Sequence, residues 1–325
     1  MTLFCIGIHV GTLPMSKSST GRLNGEVTGR LARRTLPQQS SAILEDKSVL
    51  KALDRSIASA SNRIVFLAPS VASVLDAFSD ATIDSDRHVQ LVREVQRFRG
   101  EIYLKDGAIQ PHQLTLDGRH QTPEDENSWH MLLLDARGRV SACALYMEHQ
   151  GDVTFDQLRV RHCAMAEDNE WRPKLVRAVQ RELDRAKGEG LRYVELGGWA
   201  VSEGSRGTAG PLALAFAAYG FSRRAAGALG MTTATFRHCS ATVLKRLGGS
   251  RFEVDGETLP PYYEPRYRCL MELLRFDSRR PNSKYLGLID QMRDTLGKVT
   301  MVAPAMASAH AWCGIDRQLA AGLAS

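Results

Sequence analysis

Cysteine is sparse in this chain of 325 residues: Cys5, Cys143, Cys163, Cys239, Cys269 and Cys313 lie far apart and form no CxxC pair. That spacing excludes a disulfide scaffold or a zinc ribbon and reads as reduced, buried thiols in a cytoplasmic protein. Long apolar runs are missing too. The nearest to one, residues 1–15, is too short to span a bilayer and has no basic leading segment, so neither a membrane span nor a secretory signal is expected. Aromatic residues make up only 7% of the chain, and 42 basic residues exceed 36 acidic ones by six without clustering. A nucleic-acid binder concentrates basic residues on one face with aromatics between them, so nucleic acid is not an expected partner. A phosphate-binding pocket accounts for so small a surplus.

The composition is otherwise that of an ordinary globular chain, 43% hydrophobic and 24% charged, and the length suits one large domain or two smaller ones. Residues 17–41 carry Lys17, Arg22, Arg30, Arg33 and Arg34 against Glu26 alone, with no apolar period, so residues 1–44 are read as a disordered basic tail. An organellar transit peptide, or a start codon placed too early, would look the same. Leu50, Leu53 and Ile57 repeat at helical spacing, as do Val89, Val92 and Val95 before Phe98, which makes residues 45–89 a helical N-terminal region. Residues 64–67 are a short apolar run that suits a strand.

From Trp129 the pattern sharpens. Residues 130–134 and 140–147 flank turn chemistry around Gly138 and predict a β-hairpin. Residues 157–160 follow as an expected third strand. Asp168 or Asn169 then caps a helix over 171–187, with Leu175, Ala178, Val179, Leu183 and Ala186 as its buried stripe and Gly188 or Gly190 as its end. Residues 191–201 read as a strand with Tyr193, Glu195, Gly197 and Trp199 on one face. A helix starting near Pro211, a strand over 230–236 and a helix over 241–247 complete an α/β order.

The segment VSEGSRGTAGP, residues 201–211, joins a strand to a helix through a glycine-rich loop, an arrangement that offers main-chain N–H groups to a phosphate or makes nothing more than a tight turn. Glu195 lies on the strand that leads into it. The pairs His162–Cys163 and His238–Cys239 are adjacent in sequence, where strand side chains point to opposite faces, so no metal is expected. Trp129 and Trp199 suit a pocket wall or core packing. The aromatic and basic stretch over residues 259–285, with Arg266 and Arg268, suits carboxylate recognition or a final strand with solvated arginines.

These motifs resemble the GNAT superfamily of N-acyltransferases, whose R/Q-x-x-G-x-G/A loop is echoed by Arg206, Gly207, Thr208, Ala209, Gly210 and Pro211. Ala209 and Pro211 replace a Gly and a Gly or Ala of that pattern, and Pro removes one N–H donor. A second signature is echoed by Ala241, Leu244, Lys245, Leu247, Gly248 and Gly249, with Lys245 where a proton-donating Tyr is usual. Leu244, Arg246 and Gly248, together with Glu195, are closer to acyl-homoserine-lactone synthases and N-acyl amino acid synthases. Arg97, Phe98, Arg99, Asp117, Asp125 and Trp129 loosely echo the upstream part of that branch.

The resemblance implies a GNAT-like mixed sheet flanked by helices over residues 90–280, with a loose extension over 281–325. It implies acyl transfer from coenzyme A or an acyl carrier protein to the amine of a small molecule such as an amino acid. Trp199, Ala200, Val201 and residues 206–210 would hold the thioester donor, Trp129, Arg266 and Arg268 the acceptor, and Glu195 would take the amine proton. A silent ligand-binding module of the same fold is the alternative.

Overall fold

The computed structural model describes residues 55–56, 59–60, 63–69, 78–149 and 151–305. The expected basic tail, and the positions Leu50, Leu53 and Ile57 of the first expected helix, lie outside the described residues. Strand β1 is Ile64–Leu67 and β2 is Asp80–Ile83. Helix α1, Ser85–Lys105, is started by the Asp84 carboxylate, which accepts from Arg87 N at 2.9 Å. Val95 and Ile102 on its buried stripe pack on the sheet with the half-buried Leu91, Val92 and Phe98.

The expected hairpin is β3, Trp129–Leu134, and β4, Val140–His149. Asp135 Oδ1 accepts from the amides of Arg137 and Arg139, and Gly138 takes a left-handed φ of 77°, so the turn is fixed by local chemistry. Helix α2, Trp171–Gly188, begins where Asp168 Oδ1 accepts from Glu170 N and Trp171 N, and it buries the predicted stripe against the sheet. Strand β5, Arg192–Val201, leads to α3, Gly210–Arg224, then β6, Ala228–Thr235, and α4, Ser240–Leu247. After β7, Ser250–Arg251, come the small hairpin β8, Glu253–Val254, and β9, Glu257–Thr258. Strands β10, Tyr262–Glu264, and β11, Cys269–Asp277, precede α5, Leu286–Leu296, and β12, Thr300–Ala303.

The main sheet runs β10-β11-β6-β5-β4-β3-β1-β12-β2, with β7 also on β11. Its neighbours are antiparallel except for the parallel pairs β5–β6, β1–β12 and β12–β2. Helices α3, α4 and α5 cover one face through Phe216, Phe221, Leu244, Ile289 and Met292. Helices α1 and α2 cover the other. The result is a mixed α/β sheet flanked by helices on both sides.

Two expectations are corrected. Residues 157–160 are not a strand: Phe155–Gln157 and Arg159–His162 are turns of 3-10 helix, because the Thr154 amide turns back to Gln157 Oε1 and the Arg159 and Val160 amides are taken by Glu195. Nor is the sheet confined to residues 90–280. Strands β1 and β2 precede that span and β12 follows it, inserted between them, while α5 buries Ile289, Met292 and Leu296 in the main core. The segment after residue 280 is therefore integral, at least as far as Ala303.

Candidate active site

Strands β5 and β6 pair from Arg192 opposite Ala228 to Leu196 opposite Thr232, where Thr232 Oγ1 donates to Leu196 O at 2.8 Å, and then part. Strand β5 continues to Val201 with β4 alone as its partner. This opens a cleft at the carboxyl ends of two parallel strands, each followed by a helix, the usual place for a ligand in such sheets. The opening coincides with a β-bulge. Cys143 faces Ala200 and Leu145 faces Gly197, so β5 takes three steps where β4 takes two, and Gly198 absorbs the extra residue at φ 60°.

The bulge overturns the expected alternation. Tyr193 and Glu195 face the α2 side, but Trp199 is moved to the α3 side with Val194, Leu196 and Val201, and Ala200 is buried towards α1. Trp199 packs half-buried on the main core, as do Ala209, Leu212 and Val243 from the starts of α3 and α4. Its indole Nε1 is buried without a hydrogen-bond partner.

On the α2 side a cavity of about 160 Å³ opens beneath the point where the strands part. Glu195 lines it and is 4% exposed. Its Oε1 accepts from Val160 N at 3.1 Å, and Oε2 accepts from Arg159 N at 2.8 Å and from His149 Nε2 at 3.0 Å. Leu196 and Thr232 reach both the cavity and the split between the strands. The wall carries charge of both signs. Arg159 pairs with Glu124 at 3.6 Å, and its guanidinium lies where a Cβ on Gly197 would stand. Arg266 Nε donates to Glu264 at 2.8 Å. Burial alone would raise the Glu264 pKa, but Arg266 and the Ala164 amide outweigh it and hold the carboxyl below its usual range. Burial pushes the Cys163 thiol up.

The glycine-rich loop is less open than its sequence suggests. Glu203–Ser205 is a 3-10 turn, and the amides of Ser205, Arg206 and Thr208 are satisfied within the loop, while Gly210 N reaches Thr208 Oγ1 at 3.3 Å. Gly207 adopts φ 79°. Arg206 Nη2 donates to both carboxylate oxygens of Asp106, at 3.0 and 2.8 Å.

Of the residues expected to hold an acceptor, Arg266 lines the cavity and Arg268 does not, being exposed on the turn before β11. Trp129 is a core residue, 3% exposed, with ring centroids of Phe66, Phe78 and Phe221 at 5.0 to 6.4 Å. Lys245 turns to the buried Glu272 at 2.8 Å, a carboxylate it shares with Arg251. Sequence reasoning missed His149, Arg159, Glu124 and Asp106. No spacing rule links them, because each reaches the site from a separate element. Among the described residues no group of three or more His, Cys, Asp or Glu could hold a metal ion, and no helix is long and apolar enough to cross a membrane.

No protein-family model matches the chain, and no curated protein matches it. Solved acyltransferase structures are similar to it. A coenzyme A-dependent acyl-homoserine lactone synthase, BjaI, with SAM and isopentyl-CoA, is 14% identical over 74% of this chain and 92% of its own, with a TM-score of 0.45. FeeM, an N-acyl amino acid synthase from uncultured soil microbes, is 13% identical over 59% and 92%, with a TM-score of 0.38. An aminoglycoside N(6')acetyltransferase from Legionella pneumophila is 10% identical over 67% and 93%, with a TM-score of 0.31. These are the kinds of protein that the sequence motifs resemble.

Proposed function

We propose that the chain is an N-acyltransferase that moves an acyl group from a thioester, carried by coenzyme A or an acyl carrier protein, to the amine of a small zwitterionic molecule such as an amino acid. The observation that carries this reading is the split between β5 and β6. It joins a charged cavity holding Glu195 on one face to the half-buried Trp199, Val201 and Leu212 on the other. An acceptor in the cavity and a thioester against the apolar side would meet at the open edge of β5.

The amine nitrogen attacks the thioester carbonyl carbon, a C–N bond forms, the C–S bond breaks, and the thiolate leaves to be protonated. Glu195 takes the amine proton: Oε1 accepts only the Val160 amide and so keeps a lone pair for it. Main-chain N–H groups on the unpaired edge of β5 beyond Gly197 stabilise the developing oxyanion. Arg159 and Arg266 suit the acceptor's carboxylate.

The test is acyl transfer from a panel of acyl-CoA species to the common amino acids, read by mass spectrometry. An N-acyl amino acid is the expected product. Glu195→Gln lowers turnover by about 100- to 10,000-fold with coenzyme A affinity unchanged. Full turnover in that variant removes Glu195 from the mechanism. No product from acyl-CoA or acyl carrier protein with any amine removes the reading.

A further inference from the structure

An ionised carboxylate has two oxygens with two in-plane lone pairs each, so a base that takes a proton from one direction needs the other positions filled. Around Glu195 they are filled from two sources. The turn Arg159–His162 brings consecutive amides to the two oxygens, Arg159 N to Oε2 at 2.8 Å and Val160 N to Oε1 at 3.1 Å. That cradle treats the oxygens alike and leaves one lone pair open on each. His149 breaks the tie. Its Nε2 lies 3.0 Å from Oε2, and because an ionised carboxylate only accepts, the imidazole donates.

The register of the sheet brings the pair together. Met147 on β4 stands opposite Glu195 on β5 and His149 stands opposite Tyr193, so the imidazole reaches Glu195 along the diagonal of one sheet face. Glu195 and Met147 line the cavity, and His149 is not among its lining residues. The imidazole therefore holds the carboxylate from behind, out of reach of a molecule in the cavity. An Arg or Lys there would hold Oε2 as well, but its fixed charge would favour the ionised carboxylate and oppose proton uptake, whereas an imidazole can donate the same hydrogen bond while neutral. Resting on the reading above, in which Glu195 takes the amine proton, we infer that His149 is a positioning residue for the transfer: by occupying Oε2 it makes Oε1 the atom that receives the proton. As the amine nitrogen forms its bond to the acyl carbon, its proton passes to Oε1 and His149 keeps its own. Without the imidazole, the lone pair freed on Oε2 takes a water or a proton on the side away from the acceptor.

The full chain, His149→Leu, His149→Gln, Glu195→Gln and the double variant Glu195→Gln/His149→Leu are compared in the acyl-transfer assay, and each is melted in urea. His149→Leu has no donor and is expected to lower kcat about ten- to hundredfold, the loss of one hydrogen bond to a charged group, with KM for the acceptor and coenzyme A affinity within about twofold. His149→Gln, whose amide reaches as Nε2 does, restores most of the rate. On the Glu195→Gln background His149→Leu costs no further rate, because it acts only through the carboxylate. A His149→Leu protein that melts cooperatively and turns over like the full chain overturns the inference, and so does a loss that persists undiminished on the Glu195→Gln background. If the Leu variant does not melt cooperatively, His149→Asn, polar but too short to reach Oε2, takes its place, and equal rates for the Asn and Gln variants overturn the inference. A full chain that makes no product from any thioester and amine overturns the reading on which the inference rests, whereas the other outcomes, in an active full chain, overturn the inference alone.

Discussion

Gly198 decides which side chains meet at the cleft. Its φ of 60° and the Leu145 side chain beneath it leave no room for a Cβ, which would stand 2.7 Å from Leu145 Cγ. Gly198→Ala is expected to cost about 1–2 kcal/mol from the left-handed backbone alone, with the clash in addition, and to reduce acyl transfer by straightening the bulge. Gly204→Ala, where a Cβ meets nothing within 4 Å, is the control and stays within about 0.5 kcal/mol. Urea melts of both variants beside the transfer assay check this. The sequence placed Glu195 on this strand, but strict alternation put Trp199 on the same face. The adjacent Gly197 and Gly198 permit a bulge without requiring one, because the register is set by β4 and by the packing of Leu145. The partners of Glu195 were illegible for a related reason: two are main-chain amides of a segment whose composition suits a strand equally well.

At the scale of elements, what was readable was local. The hairpin, α2, β5, β6 and α4 carry their own signals in Asp135, Asp168, glycine stops and apolar periods, and each appears within a few residues of its expected place. What was unreadable was non-local. Strands β1, β2 and β12 have four residues each, and nothing in four residues names a partner hundreds of positions away. The boundary at residue 280 therefore gives a sharp test. A chain ending at Arg280 loses Ile289, Met292 and Leu296 from the core and the strand between β1 and β2, and is expected to lose its cooperative melt by circular dichroism. A truncated chain that melts like the full one would make the last helix and strand an appendage.

For the molecule as a whole, acid is the revealing variable. His130 is fully buried, donates from Nε2 to Asp125 O at 2.8 Å and has no partner for Nδ1; burial pushes its pKa down to about 4. His120, beside the buried Arg99–Asp125 pair, is likewise pushed down to about 4, first by burial and then by Arg99. In the unfolded chain both titrate near 6.5. Between those values the unfolded chain binds more protons, so stability that is complete above pH 6.5 is lost as the pH falls through 4. Each histidine contributes a slope of up to about 1.4 kcal/mol per pH unit. Denaturant melts from pH 7 to pH 4.5 should show that loss, and His130→Asn should make it shallower by about one proton. An unchanged slope would mean that His130 titrates normally in the folded state.

The place of β12 has a further consequence, for synthesis. Val65 pairs with Thr300, and Asp80 with the same Thr300 from the other side, so β1 and β2 have no neighbour between them until residues 300–303 have left the ribosome. The hairpin, α2 and β5 can assemble as they emerge. The β1–β12–β2 edge cannot, and in a nascent chain Ile64, Val65, Phe66 and Leu67, all buried in the finished protein, stay unpaired on the β12 side until β12 has been made. Slow decoding or premature release before residue 300 thus leaves an apolar strand edge exposed, and a chaperone that shields extended apolar segments would act on this chain at β1 and let go only once β12 has been made.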